Sequence, residues 1–107
     1  HDLVIVETGY PWTMEWTERG GFDRDRNIFG RQSDLHPGYT ASVAGQKAFL
    51  QDLIRIIKEV PQQKGKGLFY WEPEWISVTG LGSHWENVAL FDFNGEALES
   101  VQAFEEE

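Results

Sequence analysis

The stretch Leu3-Val4-Ile5-Val6-Glu7-Thr8-Gly9-Tyr10-Pro11-Trp12 decides the fold. Its first four residues form an uninterrupted apolar run with β-branched side chains, the pattern of a strand covered on both faces in a parallel sheet. The run ends on a carboxylate, Glu7, after which Gly9 and Pro11 break extended pairing and open a loop. A buried strand that delivers a carboxylate into a loop is how barrel proteins present catalytic groups at the carboxyl ends of their strands. The competing explanation is a surface glutamate, or one paired with an arginine for structural reasons.

Downstream of this strand, residues 13–41 follow neither a helical nor a strand period and are rich in Gly, Asp, Arg and Asn. A loop of that length inside a compact domain is usually functional. Next, Val43, Phe49, Leu50, Leu53, Ile56, Ile57 and Val60 recur at spacings of three and four, with charged and polar residues filling most of the other face. The spacing predicts an amphipathic helix from Ser42 to Glu59. Ser42 suits its N-cap, and Pro61 ends it because the residue before proline resists α geometry. After the polar turn Gln62–Lys66, the segment Gly67-Leu68-Phe69-Tyr70-Trp71 reads as a second buried strand, broken by Glu72-Pro73. A second irregular loop centres on Gly80–Ser83. Ala89-Leu90-Phe91-Asp92-Phe93 is a short extended piece closed by the turn signal Asn94-Gly95. Leu98, Val101 and Phe104 space a short terminal helix.

Two buried strands joined through an amphipathic helix make a βαβ unit, so the fold class is α/β. The long loops follow the strands and the short turn follows the helix, the asymmetry of (β/α)8 barrels. Such barrels take roughly 250 residues, so residues 1–107 are expected to be a single partial domain. Glu7 and Trp71, each at the tip of a strand, should open onto one cavity.

Composition narrows the partners. A net charge of −9 and a pI of about 4.7 repel a phosphate backbone, which argues against nucleic acid. No apolar run approaches the roughly 20 residues that span a bilayer, so no membrane partner is expected. With no cysteine, disulfides and thiolate metal sites are excluded. Aromatic residues make up 14% of the chain, five of them Trp. Their flat faces fill cores and also pack on the apolar faces of ligands. Asp23, Asp25 and Asn27 space three oxygen ligands two residues apart, as in part of a calcium loop, although a solvated charge run is the simpler account. Asp34 and His36 are further donors nearby. No cofactor is required by anything in the sequence.

Several motifs then occur in order: Glu7-Thr8-Gly9-Tyr10-Pro11-Trp12-Thr13, Gly45-Gln46-Lys47-Ala48-Phe49-Leu50, Phe69-Tyr70-Trp71-Glu72-Pro73, Trp85-Glu86-Asn87 and Ala89-Leu90-Phe91-Asp92-Phe93. Together they resemble the C-terminal part of glycoside hydrolase family 53, the arabinogalactan endo-β-1,4-galactanases. The resemblance implies the β7-α7-β8-α8 end of a (β/α)8 barrel that hydrolyses β-1,4-galactan with retention of configuration. It implies Glu7 as nucleophile and Trp71 as the aromatic beneath the sugar at the cleavage point. Tyr10, Trp12, Trp75 and Trp85 are candidates for further sugar contacts. The family's acid/base is a Glu in an Asn-Glu pair, and no Asn-Glu occurs in this chain. The chain alone is therefore expected to be inactive, with the N-terminal part of the barrel as its partner. A calcium tying the two long loops and an extracellular or cell-envelope location also follow from the resemblance. Two rival readings are a different retaining barrel β-glycosidase and a non-catalytic carbohydrate-binding domain. The latter is commonly an all-β sandwich.

Overall fold

The computed structural model describes residues 1–17 and 27–105. Strand β1 (Leu3–Thr8), helix α1 (Val43–Lys58) and strand β2 (Gly65–Tyr70) follow in that order. Short 3-10 helices span Gln32–Asp34, Pro61–Gln63 and Glu99–Phe104. The two strands pair parallel, with Ile5 opposite Leu68 and Thr8 opposite Tyr70, and irregularities interrupt the ladder at two points. A parallel pair bridged by a helix is the expected βαβ unit. It excludes the all-β carbohydrate-binding reading.

The helix forms where its period predicts. Ser42 is extended at the N-cap, and its hydroxyl accepts from the Gly45 amide at 2.9 Å. That bond satisfies one of the amides a helix start leaves without a partner. Arg55 and Lys58 in the last turn complement the helix dipole. The return to β2 is tight. Gln62 and Gln63 both take left-handed backbone conformations (φ 63° and 57°), a cost that a non-glycine residue accepts only when its surroundings fix it. At Gly65 a Cβ would sit 1.9 Å from the Ile57 carbonyl oxygen, so β2 can start against the helix end only with glycine.

Leu50, Leu90 and Ala103 form the buried core, with Phe49, Ile54, Tyr70, Phe91 and Val101 packed around them. This core lies between α1, the helix-facing side of β2 and the terminal 3-10 helix. Burying a leucine such as Leu50 contributes roughly 1.5–3 kcal/mol. The Asn94-Gly95 turn is also present. Asp92 accepts from the Asn94 and Glu96 amides, Gly95 has φ 83°, and Phe91 bridges Ala97. The flanking segment makes only that single bridge and is not a strand.

One expectation fails. β1 is not covered on both faces: Leu3, Val4 and Val6 are 43%, 42% and 71% exposed, and Phe69 of β2 is 64% exposed. Among the described residues, β1 has one strand neighbour and α1 covers one face of the pair, so much of the apolar run meets solvent.

Candidate active site

Both strands end at the same edge. Glu7 is the penultimate residue of β1 and is exposed. Trp71 lies one residue beyond β2, and its amide donates to the Thr8 carbonyl at 2.9 Å, carrying the ladder one step past the paired strands. Glu7 and Trp71 therefore lie on neighbouring segments at the carboxyl edge of the sheet, one residue before and one residue after the Thr8–Tyr70 pair. Glu72 follows in a left-handed conformation (φ 43°), and Trp71, Glu72, Glu74 and Trp75 line a shallow, open cleft of about 380 Å³. Glu7 does not line that cleft. The shared cavity expected for Glu7 and Trp71 is thus reduced to a shared edge, because no described residue closes over the Glu7 side.

The aromatics divide by burial. Trp71 and Trp75 are 43% and 40% exposed and meet solvent. Tyr10 does not. It is 2% exposed, stacks on Phe49 with centroids 4.6 Å apart, donates its hydroxyl to the Tyr39 carbonyl at 2.8 Å and accepts from the His36 amide at 3.1 Å. Tyr10 is thus a packing residue of the loop after β1, and the sugar contact expected of it is corrected. Trp85 is half-buried against the end of β1. A Cβ at Gly9 would stand 2.4 Å from its ring, so glycine is required there for the indole to lie so close. Trp12 packs on Phe93 at 5.0 Å, and its amide donates to the Asn87 carbonyl. The indole nitrogens of Trp12 and Trp85 are both buried, with no partner among the described residues. Trp16, in the same loop and 39% exposed, was not singled out from the sequence, where only its residue type marks it.

Polar residues bind the two loops together. Glu86 and Asn87 are wholly buried. Glu86 accepts from the Thr17 amide at 2.9 Å, and Asn87 donates to the Thr13 and Phe29 carbonyls at 3.1 and 2.9 Å. A glutamate and an asparagine beside an apolar run (Val88-Ala89-Leu90) were the available signal. Gln46 of α1 is also wholly buried. Its amide nitrogen lies 2.8 Å from the Tyr10 carbonyl and 3.2 Å from the Tyr70 hydroxyl and from the carbonyls of Val88 and Ala89. Its carbonyl oxygen accepts from Ser100. The Tyr70 hydroxyl accepts from the Tyr10 amide at 3.1 Å and donates to the Val88 carbonyl at 2.5 Å. Burial pushes the Tyr70 phenol far above its ordinary value of 10, so it keeps its proton and remains a donor.

Of the candidate metal ligands, Asp23 and Asp25 lie outside the described residues. Asn27 is 6% exposed, and both polar atoms of its side chain lack partners among the described residues. Asp34 caps a local turn by accepting from the Arg31 amide, and the His36 ring lies against the Pro37 carbonyl. Among the described residues, no three His, Cys, Asp or Glu side chains are grouped to hold a metal.

A parallel βαβ unit whose carboxylate, open tryptophans and long loops all gather at the carboxyl ends of its strands has the layout of a barrel-type α/β protein. The chain belongs to glycosyl hydrolase family 53, whose model matches residues 1–104. It is 39% identical over 95 residues to an arabinogalactan endo-β-1,4-galactanase of Cellvibrio japonicus, covering 84% of this chain and 23% of that one. It is 44% identical over 104 residues to a probable enzyme of the same name from Aspergillus oryzae, covering 96% of this chain and 26% of that one. The structure of the Ignisphaera aggregans family 53 catalytic domain superposes with a TM-score of 0.80 at 40% identity, over 96% of this chain and 29% of that one. The chain thus spans less than a third of the length of these relatives.

Proposed function

We propose that residues 1–107 form the β7-α7-β8-α8 end of a (β/α)8 barrel, a single partial domain, and that the assembled protein is a retaining endo-β-1,4-galactanase with Glu7 as nucleophile. The observation that carries this reading is the placement of Glu7 and Trp71 at one sheet edge, tied by the bond from the Trp71 amide to the Thr8 carbonyl. Retaining hydrolysis uses two carboxyl groups roughly 5–5.5 Å apart. Glu7 attacks the anomeric carbon, and a second carboxyl group, supplied by the N-terminal part of the barrel, protonates the leaving oxygen. That second group then takes a proton from the water that displaces Glu7. The exposed rings of Trp71 and Trp75 suit the apolar faces of galactose units. A neutral polysaccharide is also compatible with a net charge of −9. Such a polymer is met outside the cell, which supports an extracellular or cell-envelope location.

Asn27 would suit a structural calcium, since its buried amide oxygen has no partner among the described residues, and Asp23 and Asp25, four and two positions earlier in the sequence, carry the carboxylates that such a site uses.

In the full-length protein, Glu7→Ala is expected to lower kcat on β-1,4-galactan by several orders of magnitude. Azide should restore cleavage of an activated β-galactoside and yield the α-galactosyl azide, because the anion attacks from the vacated side. Near-normal turnover of Glu7→Ala would sink the assignment. Full activity on another β-linked chain with none on galactan would move it to a different substrate.

A further inference from the structure

We propose that Tyr70 and Gln46 are positioning residues that fix the relative placement of Glu7 and Trp71; the proposal rests on the catalytic reading of Glu7 given above. Tyr70 is the last residue of β2 and immediately precedes Trp71. Successive side chains of a strand point to opposite faces. The Tyr70 ring accordingly packs on the α1 side, in the core, and leaves Trp71 directed away from it. Tyr10 lies three residues beyond Glu7. Its amide donates to the Tyr70 hydroxyl, and its carbonyl lies 3.1 Å from that hydroxyl and 2.8 Å from the Gln46 amide nitrogen. The same two side chains hold the Val88 carbonyl of the loop after β2. One hydroxyl and one amide thus join the chain just past Glu7, the chain just before Trp71 and the second loop. Ser100 fixes the orientation of the Gln46 amide from the other side.

Every partner is buried or half-buried, so these bonds act in a low dielectric, where a satisfied network rigidifies its surroundings. Neither residue touches the cleft lined by Trp71 and Trp75. Their effect on turnover runs through the placement of other groups. A displacement of about 1 Å at a reacting pair costs on the order of a hundredfold in rate.

The test compares Tyr70→Phe, Gln46→Met and the core variant Leu50→Val in the full-length protein, assayed well below each melting temperature. Tyr70→Phe keeps the ring and removes only the hydroxyl. Expected for both Tyr70→Phe and Gln46→Met is a kcat on galactan lowered roughly 10- to 100-fold with KM changed less than twofold. An equal loss in kcat/KM is expected on a dinitrophenyl β-galactobioside, whose leaving group needs no proton, so that placement of the acid/base does not enter the reading. Leu50→Val should lose melting temperature while keeping kcat within twofold. If Tyr70→Phe and Gln46→Met lose melting temperature but keep kcat like Leu50→Val, the residues are merely structural and the proposal is overturned. A rise in KM alone would overturn it as well. The parallel Glu7→Ala measurement separates the two ideas. Normal turnover there strikes the catalytic reading, whereas a dead Glu7→Ala beside a fully active Tyr70→Phe strikes only the positioning role.

Discussion

The Tyr70 hydroxyl sits among the Tyr10 amide, the Gln46 amide and the Val88 carbonyl, with burial as the main reason its proton is held so tightly. The unfolded chain releases that proton near pH 10, whereas the folded protein keeps it well above that pH. The unfolded state therefore binds fewer protons in this window, and stability falls as pH rises. The contribution is complete below pH 10 and is lost progressively above it, at about 1.4 kcal/mol per pH unit. Tyr39 is raised in the same direction, chiefly by its hydrogen bond to Asp52, but it is common to wild type and variant and cancels in their comparison. Urea midpoints measured from pH 8 to 11 should fall more steeply above pH 10 for the wild type than for Tyr70→Phe. Parallel curves would show that this phenol does not titrate with unfolding.

Among the elements, the junction of α1 with β2 sets the most stringent steric demand. Gly65 begins β2 with no room for a methyl group beside the Ile57 carbonyl oxygen. Gly65→Ala should destabilise the protein by about 1–3 kcal/mol, the range for forcing an extra carbon into a packed site. The readout is the urea midpoint, and an unchanged midpoint would mean that the turn through Gln62 and Gln63 yields easily. The elements themselves were legible in the sequence. The 3.6-residue period and Ser42 located α1 to within a residue at each end, and the apolar runs located both strands. What joins the elements was not legible. Nothing in the spacing of Gln46 shows that a polar residue on a helix will be wholly buried against carbonyls some 40 positions away in the chain, because its partners are main-chain atoms that carry no sequence signal. Tyr10 misled for a related reason. An aromatic beside a strand tip reads as a ligand platform until Phe49, from a distant helix, is found stacked on it.

For the whole molecule, shape and surface tell the same story. The radius of gyration is 14.6 Å and the extents are 48 × 24 × 24 Å, whereas a compact domain of this length has a radius near 13 Å. Val6 and Phe69 lie open on the sheet, and Ile56 and Phe104 on the helical side. Among the described residues each strand also has one edge without a strand neighbour, a template for pairing with another chain. The isolated 107-residue chain should therefore elute in size exclusion well above its mass of 12.3 kDa, bind a dye that reports exposed apolar surface, and leave galactan uncut. A monodisperse monomer that cleaves galactan would contradict both the partial barrel and the second carboxyl group proposed above.

The bonds of Tyr70 and Gln46 to the two loops end on backbone amides and carbonyls of Tyr10, Val88 and Ala89, not on their side chains. Such a fastening is indifferent to which amino acids the loops carry at those points, provided the main chain follows the same path. If the two side chains act as proposed, a substitution in either loop that leaves the main-chain path unchanged would leave the placement of Glu7 and Trp71 unchanged as well. A loop of altered sequence grafted at Tyr10 or Val88 is expected to stay in register as long as Gln46 and Tyr70 are kept.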